Sequence, residues 1–124
     1  MRLQLDANAF LWWVTDSARL SAAARDAISN DANSIFVGVG SLWELSIKRS
    51  LGKLDFPHDF QTVLRDETFA LLPITYEHLH TLEGLPPHHR DPFDRMLIAQ
   101  AVADELPIAT SDTMFPRYGV NILW

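Results

Sequence analysis

The sequence contains no cysteine, and this absence excludes several kinds of chemistry. Without thiols the chain can form no disulfide, no thiolate zinc site and no cysteine nucleophile. A chain without cysteine also suits a reducing compartment, so we expect a cytoplasmic protein.

Basic residues are scarce. Ten Lys and Arg residues stand against sixteen Asp and Glu residues, which gives a net charge of −6 and a pI near 5.2. Proteins that only coat nucleic acid are basic, because their affinity for phosphate comes mostly from Lys and Arg. The charge balance therefore disfavours simple nucleic-acid binding.

Long apolar runs are missing as well. The longest apolar segment is Ala9 to Val14, whereas a membrane-spanning helix needs roughly 20 apolar residues. The first residues hold no apolar segment of the length that a secretory signal requires, and Asp6 interrupts them early. We expect neither a signal peptide nor a membrane partner.

The composition that is present is typical of a globular protein. Of the 124 residues, 48% are hydrophobic and 21% are charged. This length matches one domain of ordinary size, so residues 1–124 are predicted to form a single domain with one hydrophobic core.

Predicted strands and helices alternate along the chain. Ser41 is expected to begin a helix that ends at Gly52, Pro57 to open the next, and Asp91-Pro92 to start a long helix that reaches about Glu105. The strands are predicted at residues 3–5, 34–39, 70–74, 107–110 and 120–124. This alternation predicts an α/β fold, with a central parallel sheet and helices on both faces.

Four acids fall near strand ends or helix starts. Asp6 ends the first strand, Asp112 follows the strand that ends near Thr110, and Glu44 and Asp94 lie in the first turns of helices. Ligand sites in open parallel sheets lie beyond the carboxyl ends of the strands. We therefore treat these four acids as one candidate site.

Each acid also has a purely structural interpretation. Ser41-x-x-Glu44 matches a capping box, Asp94 could favour the helix dipole, and Asp112 could cap the turn that follows it. Asp91 is interpreted as a helix cap before Pro92. Asp6 has the weakest structural explanation, because it caps a helix only if one starts at once.

Taken together, the four acids favour a metal site. Two unit charges 4 Å apart repel by about 4 kcal/mol at an effective dielectric constant near 20, so such a cluster needs a cation, a raised pKa or a lysine in its midst. The chain offers no cysteine, and no histidine with suitable spacing to the acids. All-oxygen ligands favour Mg²⁺, with Mn²⁺ possible, and either ion can generate a hydroxide that attacks a phosphodiester.

Four segments in order resemble PIN-domain proteins of the VapC type, the toxins of type II toxin-antitoxin pairs. They are LQLD (3–6) with FLWW (10–13), SLWELSIK (41–48), HRDPFDRMLIAQA (89–101) and ATSD (109–112) before Phe115. The resemblance spans nearly the whole chain and implies a PIN-like three-layer fold. It further implies a Mg²⁺-dependent endoribonuclease in which Asp6, Glu44, Asp94 and Asp112 are the catalytic and metal-binding residues. A homodimer and an inhibitory antitoxin partner are implied as well.

One position departs from the family pattern. The family usually places Thr or Ser after its first Asp, and Ala7 stands there, next to Asn8. The alternative hypothesis is therefore a degenerate PIN-fold module that binds its partner without cleaving RNA. A phosphoaccepting receiver domain is disfavoured, because residues 37–40 supply no acid at the end of the second strand.

Two basic residues are candidates for contact with the RNA substrate. They are Lys48, which is also spaced to pair with Glu44 along a helix, and Arg95, which follows Asp94. The cluster 88–90, His-His-Arg, is interpreted as a solvated loop.

The adjacent tryptophans Trp12 and Trp13 cannot both face one core, because neighbours on a helix differ by about 100°. Trp13 is predicted to be a core residue. Trp12 either lies on a partner surface or is covered by its own chain, and Trp43 and Trp124 are interpreted as packing residues.

Overall fold

Five parallel strands form a single sheet with the order β3-β2-β1-β4-β5. The computed structural model describes all 124 residues. The strands are β1 (Arg2–Leu5), β2 (Ser34–Gly38), β3 (Ala70–Leu72), β4 (Ile108–Ala109) and β5 (Ile122–Leu123). Leu5 of β1 lies beside Val37 on one side and Ala109 on the other, so the carboxyl ends of the three central strands are aligned.

Six helices connect and cover the strands. They are α1 (Ala7–Val14), α2 (Ala22–Ser29), α3 (Val39–Ser50), α4 (Phe60–Glu67), α5 (Tyr76–Glu83) and α6 (Pro92–Asp104), with a short 3₁₀ helix at Phe115–Tyr118. The predicted α/β fold with a parallel sheet is confirmed. None of the helices is long and apolar enough to cross a membrane.

The alternation of β1 divides the interior into two faces. Leu3 and Leu5 are fully buried in the larger apolar cluster, together with residues of α1, α2 and α4. Gln4 lies between them and points to the other face, where its amide donates to Gln100 of α6 at 3.1 Å. A smaller apolar cluster on α6 and the chain after it contains Ile98, Ile108 and Phe115.

Two helices begin elsewhere than expected. Helix α3 begins at Val39 with Gly38 as its N-cap, so Ser41 is a buried residue of the first turn and forms no capping box with Glu44. A side chain at residue 38 would collide with α6, because a Cβ there would lie 2.9 Å from Gln100 Oε1. Strand β2 therefore turns into the helix at a glycine.

Helix α4 begins at Phe60 instead of Pro57. Its N-cap is Asp59, whose carboxylate accepts from the backbone N–H of Thr62 at 3.0 Å and from the Thr62 hydroxyl at 2.9 Å. An Asp that accepts two hydrogen bonds is a stronger helix start than a proline two residues earlier.

Other helix ends agree with the sequence. Ser21 caps α2, and Asp91 caps α6 with Pro92 in the first turn. Gly52 follows α3 with φ of 71°, a left-handed conformation that glycine adopts without strain.

The tryptophans only partly follow the prediction. Trp13 packs against the main cluster but is half-buried, and its indole N–H donates to Glu67 at 3.0 Å. Trp12 is half-buried too and lies against Trp124, with 5.8 Å between ring centroids, so the chain covers part of it. Trp43, interpreted as a packing residue, is 59% exposed, and the ring of Phe93 lies edge-on to it with 5.1 Å between centroids.

Candidate metal centre

Two acids meet where the chain order of the strands reverses. Asp6 follows β1 directly, and Asp112 lies just beyond β4, the neighbour of β1 in the sheet. Helices cannot cover the sheet edge at such a point, and open α/β sheets bind their ligands there. The topology therefore places Asp6 and Asp112 at the position that favours a ligand site.

The other two acids come from helices on either side of this point. Glu44 lies on α3 and Asp94 in the first turn of α6. The structure brings all four predicted acids to one cleft of about 280 Å³. The residues that line this acidic cleft are Asp6, Ala7, Asn8, Glu44, Lys48, Asp94, Ser111 and Asp112.

Asp6 is the most buried of the four acids. Helix α1 begins immediately after it, so Asp6 is also a helix cap, and its carboxylate accepts from the backbone N–H of Ala9 at 2.7 Å. Burial raises the pKa of Asp6, while hydrogen bonds from the Thr110 hydroxyl and from Ala9 oppose this effect. Asp112 and Glu44 raise the pKa further through their charge.

Thr110 links two of the acids, and the sequence reasoning overlooked it. Its buried hydroxyl lies beside Asp6, where it lowers the pKa of that acid, and it accepts from the backbone N–H of Asp112 at 3.0 Å. The sequence did contain a sign of this role, since Thr110 ends the fourth predicted strand, two residues before Asp112. A hydroxyl therefore reaches Asp6 from residue 110, although residue 7 is alanine.

Asp94 is held in surroundings that disfavour its charge. Its pKa is raised to about 7, first by burial and then by the charge of Asp91, with smaller contributions from Glu44 and Asp112. His89 acts in the opposite direction. A cation in the acidic cleft would relieve this repulsion.

Glu44 pairs with Lys48, one helical turn further along α3. The Lys48 Nζ lies 2.9 Å from Glu44 Oε2, and Lys48 is the only lysine that lines the acidic cleft. The predicted helical pair is confirmed as a contact. The predicted contact of Lys48 with RNA stays a prediction.

His89 enters the site, contrary to the expectation that no histidine is suitably placed. Its Nε2 lies 3.1 Å from Asp94 Oδ2 and 3.0 Å from Asp112 Oδ2. Potential ligand atoms of these three residues lie within 4.8 Å of one another. The spacing of residues in the sequence does not predict this contact, because the bend of the loop before α6 brings His89 to the two acids. The helix cap Asp91, two residues after His89, was the one local sign that the chain turns here.

Arg95 lies on the other side of the same loop. Its guanidinium donates to the carbonyl oxygens of Pro86 at 3.0 Å and His89 at 3.3 Å. It lines an apolar groove beside Trp43 instead of the acidic cleft. Arg95 therefore ties the loop to α6, and its predicted contact with RNA stays a prediction.

The donor atoms of the acidic cleft fit a hard divalent cation. Four carboxylates line the cleft, Lys48 is the one lysine or arginine among the lining residues, and His89 lies beside Asp94 and Asp112. Carboxylate oxygens are the ligands that Mg²⁺ and Mn²⁺ prefer. Burial first, and the charges of neighbouring acids second, raise the pKa of Asp6 and of Asp94, and a bound cation would offset both effects.

Comparisons with solved structures show the same fold in several other proteins. VapBC2 from Rickettsia felis bound to a promoter DNA fragment matches with a TM-score of 0.67 and 12% identity, over 98% of this chain and 97% of that one. FitAcB from Neisseria gonorrhoeae matches with a TM-score of 0.68 and 16% identity, over 98% and 96%. DNA-bound VapBC from Salmonella typhimurium matches with a TM-score of 0.68 and 17% identity, over 98% of this chain and 96% of that one.

Sequence comparison gives a more specific result. No curated protein matches the chain significantly in sequence. The family model described as PIN domain matches residues 4–121, a range that contains all four acids of the cleft. The chain belongs to the PIN domain family.

Proposed function

We propose that this protein is a divalent-metal-dependent endoribonuclease that acts as the toxin of a toxin-antitoxin pair. The observation that carries the proposal is the convergence of Asp6, Glu44, Asp94 and Asp112 in one cleft of a PIN domain. The family is typically one of nucleases, which supports hydrolysis of a phosphodiester.

The four acids would hold Mg²⁺ or Mn²⁺. A bound ion of this kind polarises a phosphodiester and lowers the pKa of a water that attacks it. Asp6 is fixed by Ala9 and Thr110, so its carboxylate can face the ion with little freedom to turn away. Asp94 must be ionised to bind the ion, and its burial and the charge of Asp91 make that ionisation costly unless a cation is present.

Lys48 is the residue best placed to contact the RNA backbone. Its side chain is about half exposed at the acidic cleft and pairs with Glu44. A phosphate that approaches the four acids would pass this ammonium group. Arg95 is retained as a second candidate, although its guanidinium also holds the loop before α6.

An antitoxin and a second copy of the chain are the proposed protein partners. Structures named as VapBC and FitAB complexes share this fold, which supports the antitoxin partner. Trp43, Ile47 and Leu51 form an exposed apolar stripe at every fourth residue of α3. An exposed apolar stripe of this kind is typical of a protein interface, and the proposed homodimer needs one.

The degenerate binding module remains the second candidate because of Ala7. Against it, the Thr110 hydroxyl already hydrogen-bonds Asp6, and all four acids line one cleft. A chain that retained its acids only as helix caps would have no reason to bring Glu44 into the cleft, since Glu44 caps no helix. These contacts favour the enzyme.

The test is cleavage of a panel of structured RNAs by purified protein, with Mg²⁺ or Mn²⁺ and with EDTA. We expect cleavage that requires the metal and is lost in Asp6→Ala. The matched control is Asp26→Asn, at an exposed position of α2, which should cleave like the wild type. Metal binding with cleavage of no RNA, together with capture of the antitoxin, would support the binding module instead.

A further inference from the structure

The backbone determines which ring nitrogen of His89 carries the proton. The N–H of Asp91 donates to His89 Nδ1 at 3.2 Å. A backbone N–H can only donate, so Nδ1 must present its lone pair, and the ring proton lies on Nε2.

This Nε2–H faces two acids that come from different elements. Asp94 Oδ2 lies 3.1 Å away on α6, and Asp112 Oδ2 lies 3.0 Å away beyond β4. The Nε2–H donates to Asp112, and this hydrogen bond limits how far that carboxylate can rotate. Asp94 Oδ2 lies within ion-pair distance of the same nitrogen, so both Oδ2 atoms lie on the same side of the site.

The arrangement is the reverse of that found around a metal-binding histidine. A ligating imidazole offers a lone pair to the metal and donates its other N–H to a carboxylate or carbonyl. In His89 the nitrogen that faces the acids bears the hydrogen, and the other nitrogen accepts from Asp91. Coordination through Nε2 would place a hydrogen on Nδ1 against the Asp91 N–H.

Hydrogen bonds to Tyr118 and from Arg95 hold the loop that carries His89. The His89 N–H donates to the Tyr118 hydroxyl at 2.6 Å, and the ring lies edge-on to Phe115. Arg95 donates to the carbonyl oxygens of Leu85, Pro86 and His89. The ring therefore has a defined orientation.

We propose that His89 is a positioning residue, which donates its Nε2–H to Asp112, keeps Asp94 beside the same nitrogen, and so orients both acids for the cation without binding the cation itself. The proposal rests on the proposed function in one respect, the binding of a divalent ion among the acids. It assigns Arg95 to the same task, because Arg95 holds the loop that presents His89.

The first experiment examines the tautomer in protein stripped of divalent ions. Long-range ¹⁵N–¹H correlation spectra of the histidine rings distinguish the two tautomers directly. We expect the Nε2–H form for His89, identified by its loss in His89→Ala. An Nδ1–H form would overturn the proposal, whatever the protein does with metal or RNA.

The second experiment measures the affinity for Mn²⁺ by electron paramagnetic resonance. The amide nitrogen of Gln reaches roughly as far as Nε2 and also donates, so His89→Gln keeps the donor. We expect His89→Ala to weaken Mn²⁺ binding about 10-fold or more and His89→Gln to restore most of the affinity. His80→Ala, at an exposed position of α5, is the matched control and should bind like the wild type.

A spectroscopic signature separates the donor from a ligand. Electron spin echo modulation detects an imidazole nitrogen bound directly to Mn²⁺. We expect no such coupling from His89 in the wild type. A coupling that disappears in His89→Ala, a His89→Gln variant that binds as poorly as His89→Ala, or no Mn²⁺ binding by the wild type would overturn the proposal.

RNA cleavage keeps this inference separate from the proposed function. If the expected Mn²⁺ affinities are found but no RNA is cut, the nuclease assignment fails and the positioning role stands. If RNA is cut while His89→Gln binds Mn²⁺ as poorly as His89→Ala, the positioning role fails and the nuclease assignment stands.

Discussion

Among single residues, Asp94 bears the clearest electrostatic penalty. Burial and the charge of Asp91 raise its pKa to about 7, against a usual value near 4. An acid with a raised pKa in the folded state binds its proton more tightly there than in the unfolded state. The free energy of unfolding therefore falls as the pH rises from about 4 to above 7.

Asp94→Asn should accordingly stabilise protein that has been stripped of divalent ions. We expect the free energy of unfolding to rise by about 1–2 kcal/mol at pH 8, after allowance for solvent screening, and to change little at pH 4. Urea unfolding at the two pH values measures the difference. The same variant should not cleave RNA, because it lacks a carboxylate that binds the ion. Destabilisation at pH 8 would contradict this account.

Thr110 gives a second prediction at the residue scale. Thr110→Val keeps the volume but removes the hydroxyl that joins Asp6 to the backbone of Asp112. Loss of a buried hydrogen bond to a charged group costs about 1.5–3 kcal/mol, so we expect that loss of stability and weaker Mn²⁺ binding. Thr110→Ser, which keeps the hydroxyl, is the matched control. Equal Mn²⁺ affinity in Thr110→Val and the wild type would show that the link is unimportant for the site.

At the element scale, Gly38 determines how α3 leaves the sheet and so where Glu44 lies. A Cβ at this position would lie 2.9 Å from Gln100 Oε1 and 3.3 Å from Gln4 Nε2. Gln100 cannot move aside easily, because it is buried and its amide donates to the carbonyl oxygens of Leu72 and Pro73.

Gly38→Ala should therefore destabilise the protein by about 1–3 kcal/mol, the usual cost of overpacking. The matched control is Gly84→Ala, where the nearest atom, Thr81 O, would lie 3.7 Å from the new Cβ. Thermal unfolding of both variants measures the contrast. A Gly38→Ala variant as stable as Gly84→Ala would show that the β2–α3 junction tolerates a side chain.

The sequence predicted elements well where local chemistry determines them. The Asp91 cap with Pro92, the Ser21 cap and the left-handed Gly52 each depend on neighbours in the chain, and all three were predicted. The start of α3 was mispredicted because a contact between Gly38 and Gln100, far apart in sequence, decides it. Local patterns carry no information on such a contact.

The candidate site divides in the same way. Asp94 was found because the start of α6 is visible in the sequence. Glu44 was expected in a first turn because α3 was predicted to begin at Ser41; the helix begins at Val39, so Glu44 lies beyond its first turn and still lines the predicted cleft. His89 was missed because its approach to Asp94 and Asp112 depends on a loop conformation that Arg95 maintains. The hydroxyl of Thr110 was missed for a similar reason, since it joins two strand ends.

At the scale of the whole molecule, the exposed stripe on α3 predicts self-association. Trp43 and Ile47 of α3 and Leu51, its C-cap, are exposed at a spacing of four residues. We expect sedimentation to give twice the chain mass of 14.1 kDa for the wild type. Ile47→Glu should shift the protein to the monomer, whereas Gln61→Glu, at an exposed position of α4, should not. A monomeric wild type would contradict the homodimer.

The acidity of the whole molecule is consistent with the chemistry proposed for it. With a net charge of −6, the protein gains little attraction for RNA from its own surface. A divalent cation among Asp6, Glu44, Asp94 and Asp112 would supply positive charge at the place where a phosphodiester must bind. Affinity for the substrate and cleavage of it would then depend on the same ion.

The most direct test follows RNA cleavage and Mn²⁺ binding together as free Mn²⁺ is raised. The account predicts that both rise over the same concentration range, that EDTA abolishes cleavage, and that Asp112→Asn loses both while Asp26→Asn loses neither. Cleavage that persists in EDTA, or in an Asp112→Asn variant that binds no Mn²⁺, would contradict the metal-dependent nuclease.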